Sequence, residues 1–373
     1  MSINVINPVS TRSTYSQNDK VDFTIALSPG ESVVKNSIRI TGLVKVSNGA
    51  TNIKTTNNIY YDATCGISGV FQQIICLTQN QGVIETNSDY PRYVKSKMQA
   101  MMTPSQLASN SSNITELRCG SSTMTNALLA RSDKVAGFTN KASGALVDAE
   151  YTSFSMVPDI CFNKSDNHIA GSKTGQLHIS LRLSTNYQFL FGADVSTTYA
   201  FTLKNLQLQY WTIKQDVKGP LTMEKIIVIR NTLETPNSQF ATSVPAICRS
   251  VSCVFHEEST INTSLNNNLE NQYLPGVERV QFSFNGDNQE YISNTIKTPN
   301  EILYNYLESW GDYEKSSISN NLLCVKGDGY GIGLDFKSLV DLSNQKFGLN
   351  IVSNVSNSRK YAIFMIFRGI VSL

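Results

Sequence analysis

Three short strings carry residue types that perform acyl transfer in other proteins. Ser32-Val33-Val34-Lys35, Ser165-Asp166-Asn167 and Lys173-Thr174-Gly175 appear in the chain order of the penicillin-recognising serine enzymes. That chemistry needs the serine at the opening of a helix and the Lys-Thr-Gly on a strand far from the Ser-Asp-Asn loop. Here Ser32 stands at the edge of a strand pattern, and the other two strings share one polar loop. His256-Glu257-Glu258-Ser259-Thr260 begins like a zinc-hydrolase helix, but Thr260 stands where the second histidine must lie one turn on. Cys248 and Cys253 are too far apart for a two-residue zinc knuckle and have no second pair. The chain has 3 histidines, and His178 shares a strand face with Ser180 and Arg182, which points it at solvent or an interface. In Gly327-Asp328-Gly329-Tyr330-Gly331-Ile332-Gly333 the third glycine of a dinucleotide fingerprint is replaced by Ile332 and no helix follows, so a loop or bulge is expected. Gly171-Ser172-Lys173-Thr174 lacks the upstream glycine and the Gly-Lys pair of a phosphate-binding loop. The sequence therefore assigns no catalytic, cofactor-binding or metal-ligating residue, and the expectation is a protein that is not an enzyme and carries no cofactor.

Composition narrows the classes further. Of 373 residues only 16% are charged, against about 25% in ordinary soluble proteins, and Asn, Ser, Thr and Gln fill the deficit. With 31 basic and 29 acidic residues the net charge is +2, which supplies no field for holding nucleic acid or an anionic membrane. The 7 cysteines (Cys65, Cys76, Cys119, Cys161, Cys248, Cys253 and Cys324) are odd in number and mostly set in apolar runs, as reduced core thiols are. Met1 to Ser10 shows no basic segment leading into an apolar one, so no secretory signal is expected, and folding in a reducing cytoplasm follows. Asn-X-Ser/Thr triplets at Asn110, Asn113, Asn163, Asn262 and Asn354 are then incidental. The best apolar run, Tyr361 to Phe367, is far short of the roughly 18 residues of a membrane-spanning helix.

The elements that would position any site are strands. Period-two alternation marks Val21 to Leu27, Ile38 to Ile40, Leu177 to Leu183 and Tyr199 to Leu203, each with one apolar and one polar face. Further strands read at Val70–Leu77, Phe154–Val157, Leu206–Trp211, Ile226–Ile229, Val251–Phe255, Val280–Phe284 and Leu349–Val352, separated by Asn-, Gly- and Ser-rich clusters. Asn285-Gly286-Asp287-Asn288 is a hairpin turn. Thr298-Pro299-Asn300-Glu301 is a capping box with proline at the first helical position, followed by Ile302, Leu303, Tyr306, Leu307 and Trp310 at helical spacing. Thr103-Pro104-Ser105-Gln106 repeats the device before a shorter helix. Trp211, Trp310 and the aromatics of Tyr361 to Phe367 read as core.

The order of elements repeats: a strand pair, a capped helix, and a long closing aromatic strand, first Tyr199 to Trp211 and then Tyr361 to Arg368. This is the pattern of an all-β chain made of two tandem β-sandwiches with short helices in loops. The first spans 1–215 with a long insertion at about 101–150, and the second spans 216–373. Gln215-Asp216-Val217-Lys218-Gly219-Pro220 breaks the alternation between them.

In this order, and with Ile38 to Val46, Phe154-Ser155-Met156-Val157-Pro158, Leu177 to Leu183, Thr298 to Trp310 and the closing Tyr361 to Arg368, the chain resembles the double jelly-roll major capsid proteins of tailless icosahedral viruses over its whole length. The resemblance implies two eight-stranded antiparallel jelly rolls, three chains forming a pseudo-hexagonal tile of an icosahedral shell, and a place in the virion. Its implied partners are two further copies of the chain, neighbouring capsomers, other capsid proteins such as a penton, and in some relatives an internal membrane. Met1 to Asn18 holds only Arg12 as a formal charge, so direct genome binding is not expected. The alternatives are a minor or vertex capsid protein and a carbohydrate-binding sandwich of the lectin or adhesin kind.

Overall fold

The computed structural model describes residues 1–373 apart from 11, 50, 53–58, 63, 103–114, 119–150, 262, 273, 275, 285–297, 312–330 and 356–358. The Thr103 capping string, most of the expected insertion, the Asn285 hairpin turn, Cys119, Cys324 and most of the Gly327 string lie outside the described residues.

In chain order the strands are β1 (Ser2–Ile6), β2 (Thr14–Tyr15), β3 (Lys20–Ile25), β4 (Ser32–Val33), β5 (Arg39–Asn48), β6 (Thr51–Asn52), β7 (Tyr60–Tyr61), β8 (Phe71–Thr78) and β9 (Gly82–Asn87). Helix α1 (Tyr90–Met101) follows, then β10 (Thr152–Met156), β11 (Ile169–Ala170), β12 (Leu177–Leu183), β13 (Leu190–Phe191) and β14 (Tyr199–Ile213). The second half runs β15 (Thr222–Leu233), β16 (Asn237–Ser243), β17 (Ile247–Glu257), β18 (Arg279–Phe284), helix α2 (Pro299–Trp310), β19 (Ile332–Asp341), β20 (Lys346–Val352) and β21 (Tyr361–Ser372).

Alternation becomes burial residue by residue. In β3, Val21, Phe23 and Ile25 are buried while Lys20 is exposed, and in β12 the buried set is Leu177, Ile179, Leu181 and Leu183. Such half-buried strands must lay their apolar faces against a second sheet. The first roll does so with an outer sheet ordered β10-β5-β14-β4-β11, to which β1, β2 and β6 add, and an inner sheet ordered β9-β8-β12-β3. The second roll pairs β19-β17-β21-β15 with the three-stranded β16-β20-β18. Described residues give the second roll seven strands. Among the described residues every neighbouring pair is antiparallel but one: β15 runs parallel to β9 at Ile227↔Thr86, and this contact fuses the two inner sheets into a single eight-stranded sheet with β3 and β19 at its ends.

The continuous burial of Tyr361 to Phe367 has a physical cause. β21 lies between β17 and β15 and is covered on both faces, so no position alternates to water. The Phe364 ring lies under the Arg92 guanidinium of α1 at 4.0 Å. Phe367, of opposite parity, meets Phe347 of β20 edge-on at 5.1 Å between centroids. Helix α2 forms as its capping box dictates: the Thr298 hydroxyl accepts from Glu301 N, the Glu301 carboxylate accepts from Thr298 N, and Gly311 closes the helix at a positive φ of 98°. The helix packs tightly on β17 and β19 through small side chains. Ser250 and Ser252 of β17 bond Ser309, and a Cβ at Gly333 would fall 2.4 Å from Ser309 Oγ. The described end of the Gly327 string is thus a close approach of strand to helix, and β19 is a ten-residue strand.

Three expectations are corrected. Residues 199–203 and 206–211 form one 15-residue strand, in which a bulge between Lys204 and Gln207 and a positive φ of 53° at Asn205 interrupt the apparent pattern without ending the ladder. The helix after the first strand pair is α1, which opens at Asp89 with Pro91 in its first turn; Tyr90, Tyr93, Val94, Met98 and Met101 recur at helical spacing, but Arg92, Lys95, Ser96 and Gln99 are buried beside them. Trp211 is not core: it is 39% exposed, because the bulge places it on the outer face of β14, opposite Ile3.

Trp310 is buried and stacks against both Tyr306 of its own helix and Tyr93 of α1, the latter at 6.1 Å. Trp310→Ala is expected to cost about 3–5 kcal/mol in urea denaturation. Because the ring also supports α1, limited proteolysis should open cleavage sites in both rolls. Cleavage confined to the second roll would show that Tyr93 does not rely on it.

Candidate functional site

The densest polar chemistry lies in the boundary between the two rolls. It starts from a carboxylate on β9. Glu85 is buried; one of its oxygens accepts from Ile226 N of β15 at 2.8 Å and the other from Cys161 N at 2.7 Å. A single side chain thereby satisfies a backbone N–H from each roll beside the one parallel bridge. Burial pushes its carboxyl up from the usual glutamate range. The segment after β10 continues the junction: Asp166 N donates to Thr222 O, Asp166 Oδ1 accepts from Thr222 N, and Glu224 N donates to Lys164 O.

Around it lies an ion network. Lys164 Nζ is 2.9 Å from Asp159 Oδ1, donates to Tyr93 OH at 2.9 Å and stands 3.8 Å from Glu224. Lys97 Nζ meets Asp159 at 2.6 Å, and Arg368 joins Glu224 at 3.0 Å to the carbonyl of Trp310 at 2.9 Å. Burial works to raise the Asp159 carboxyl, but Lys164 and Lys97 outweigh it and hold it well below the usual range. Tyr93, Lys97, Met101, Lys164, Glu224, Trp310 and Arg368 line a pocket of about 270 Å³ between the rolls that opens to solvent.

Helix α1 supplies the other side of the junction. Lys95, fully buried, pairs with Asp62 at 2.6 Å, and Asn267 from the second roll donates to the same carboxylate at 2.7 Å. Desolvation would raise Asp62, yet the Lys95 ammonium more than offsets it and the net direction is down. Arg92 donates to the Asn268 carbonyl at 2.6 Å, and Asn271 donates to Ser96 and Gln99. All of these bonds except Lys95–Asp62 itself cross from one roll to the other. No sequence spacing marks them, since their members come from distant segments with nothing in common but depth.

The residues that the sequence singles out are placed as follows. The Ser32 hydroxyl is buried and donates to the Gln215 carbonyl at 2.6 Å. Lys35 is brought beside Asp166 and His168, with its N–H donating to His168 Nδ1 at 3.1 Å. Ser172 bonds Asp216 at 2.6 Å and Lys173 bonds the Gly219 carbonyl, both tying a four-residue helical turn to the inter-roll connection. His178 is half-buried against the Thr24 hydroxyl at 3.1 Å. Cys248 and Cys253 are both buried on β17. His256 is buried, with Nδ1 donating to the Glu270 carbonyl at 2.6 Å and Nε2 facing the Thr260 hydroxyl at 3.0 Å. Cys76 and Cys161, unremarkable in sequence, lie together beside Glu85.

Burial, with Arg92 and Lys95 nearby, lowers the His256 pKa to about 4. The unfolded chain then takes its proton first as pH falls from about 6.5, so stability should drop between pH 6.5 and 4 by up to about 3 kcal/mol and level off below. Urea midpoints of His256→Gln against the native chain should show that difference vanish, and parallel pH curves would contradict it. Lys95→Met, leaving Asp62 buried and unpaired, should cost about 3–5 kcal/mol, with much of that recovered in Asp62→Asn/Lys95→Met. A single variant within about 1 kcal/mol of native stability would mean that water reaches the pair.

No protein-family model and no curated protein matches the sequence. Solved structures do. The chain is similar over 100% of its length to a chain of the Sputnik virophage seen by cryo-EM, covering 86% of that chain at 10% identity with a TM-score of 0.62. It is similar, again over 100% of its length, to the Faustovirus major capsid protein, covering 90% of it at 10% identity and a TM-score of 0.54. For the mavirus major capsid protein the values are 99% of this chain, 88% of that one, 9% identity and 0.51. At about 10% identity the likeness is one of backbone architecture, and the chain has the double jelly-roll fold of viral major capsid proteins.

Proposed function

We propose that the protein is the major capsid protein of an icosahedral virus, three copies of which close into a pseudo-hexagonal capsomer. The observation that carries this reading is the fusion of two jelly rolls into one body through β9, β15 and the buried charges between them. A tile of a shell needs its two lobes held at one angle, whereas two independent binding modules need only a linker. The rolls are placed at 1–215 and 216–373. β14 ends at Ile213 and β15 begins at Thr222, which supports that division.

The surface supports self-association. Ile3 and Val5 of β1 and Trp211 of β14 are large exposed side chains, and Ile3 and Trp211 are register partners, so the outer face carries an apolar stripe. The low charge density lets identical faces meet without strong repulsion. A structural role without catalysis fits the engagement of Ser32, Ser172 and Lys173 in bonds that tie segments together. The proposed partners are two further copies, then neighbouring capsomers and other shell proteins, with a place in the virion.

Light scattering coupled to gel filtration should return three times the 41.2 kDa chain mass, persisting on dilution, and negative-stain images should show a flat pseudo-hexagonal particle. A monodisperse monomer at high concentration would sink the capsomer reading and favour a carbohydrate-binding sandwich.

A further inference from the structure

Cys76 on β8, Glu85 on β9 and Cys161 in the 3-10 turn Cys161–Asn163 come from three separate segments. Their two Sγ atoms and a carboxylate oxygen all lie within 4.8 Å of one another, and all three residues are buried. We propose that this cluster is a binding site for a divalent thiophilic cation of the zinc class, held by two thiolates and the Glu85 carboxylate. The inference is independent of the capsid reading.

The chemistry fits on three counts. Two sulfurs and one oxygen are ligands that select a borderline-soft ion over magnesium or calcium. Bond lengths of about 2.3 Å to sulfur and 2.0–2.2 Å to oxygen put tetrahedral ligands about 3.4–3.8 Å apart, so small side-chain rotations close the set. The carboxylate is already oriented, since each of its oxygens receives one backbone N–H, from Cys161 and from Ile226, and each keeps a lone pair for the ion.

Charge balance adds a fourth. Lys97, Lys164 and Arg368 face Glu85, Asp159 and Glu224 through this part of the junction, three cations against three anions. When a divalent cation enters, two thiol S–H bonds break, two metal–sulfur bonds and one metal–oxygen bond to Glu85 form, and two protons leave to solvent with the waters the ion sheds. The buried charge is the same before and after, so no uncompensated ion is stranded in the core. With all three ligands sealed from solvent, the ion would enter as the chain folds. It would join β8, β9 and the 161–163 turn beside the Glu85–Ile226 bond, locking the junction from the first-roll side.

The test is refolding of the full chain from urea under reducing conditions with zinc or cobalt, followed by dialysis. Elemental analysis should return about one zinc per chain, and the cobalt form should show thiolate-to-cobalt charge-transfer absorption near the ultraviolet edge. Cys76→Ser/Cys161→Ser should lose both. Should that variant fail to fold, alkylation of the native chain during a brief urea pulse, read by peptide mass, supplies the same answer: zinc should slow modification of Cys76 and Cys161 at least tenfold and leave Cys248 and Cys253 unaffected. Under one zinc per ten chains, an unchanged cobalt spectrum in the double variant, protection of other cysteines instead, or a Cys76–Cys161 disulfide in place of metal would each overturn the proposal.

Discussion

Everything in this fold depends on how one buried carboxylate is satisfied. Glu85 sits where two inner sheets meet, and its two oxygens take N–H groups from opposite sides of the meeting. Without it, a parallel contact of one residue pair would leave Ile226 N and Cys161 N unpaired in a desolvated place, each such donor costing about 1–3 kcal/mol. With it, the edge of one roll becomes the interior of a larger sheet. The side chain cannot be replaced by an apolar one of similar volume, because the groups it serves are backbone.

The ions of α1 and of residues 159–164 follow from the same geometry. Two sandwiches set side by side bring loops and helix faces together, and loops carry more unpaired polar groups than strands do. Hydrophobic contact alone would tolerate several relative angles of the rolls. Pairs such as Lys95–Asp62, with Asn267 added from the other roll, hold at one angle only, since a charge displaced by a few ångströms inside protein loses its partner and does not regain water. Such pairs fix orientation more than they add stability.

Much of the architecture is legible in the sequence. Alternation located β3, β12 and β20 because each is half-buried, and the Thr298 box located α2 because its cap is local chemistry. Where reading failed, a non-local cause took over. Asn205 disguised one long strand as two, since a bulge shifts the parity of everything after it and turned Trp211 outward. Helix α1 does carry its apolar residues at helical spacing, but Arg92, Lys95 and Ser96 are buried with them and bond Asn268, Asp62 and Asn271, so polarity does not mark its outside. The cluster of Cys76, Glu85 and Cys161 has no sequence signature at all, as three segments meet there only through topology.

The parallel contact between β9 and β15 also changes the count of raw edges. Two separate four-stranded sheets would present four unpaired ladders of N–H and C=O groups, and joining them removes one from each. The two left, β3 and β19, stand at opposite ends of the chain's sheet, with the Lys20–Asp22 pair on the first and Asp335 and Lys337 on the second. Charged ends discourage a stray strand from adding on. A half-molecule cut at the connection would uncover β9 or β15 with no such guard, so the tandem arrangement shields each roll from indiscriminate strand pairing.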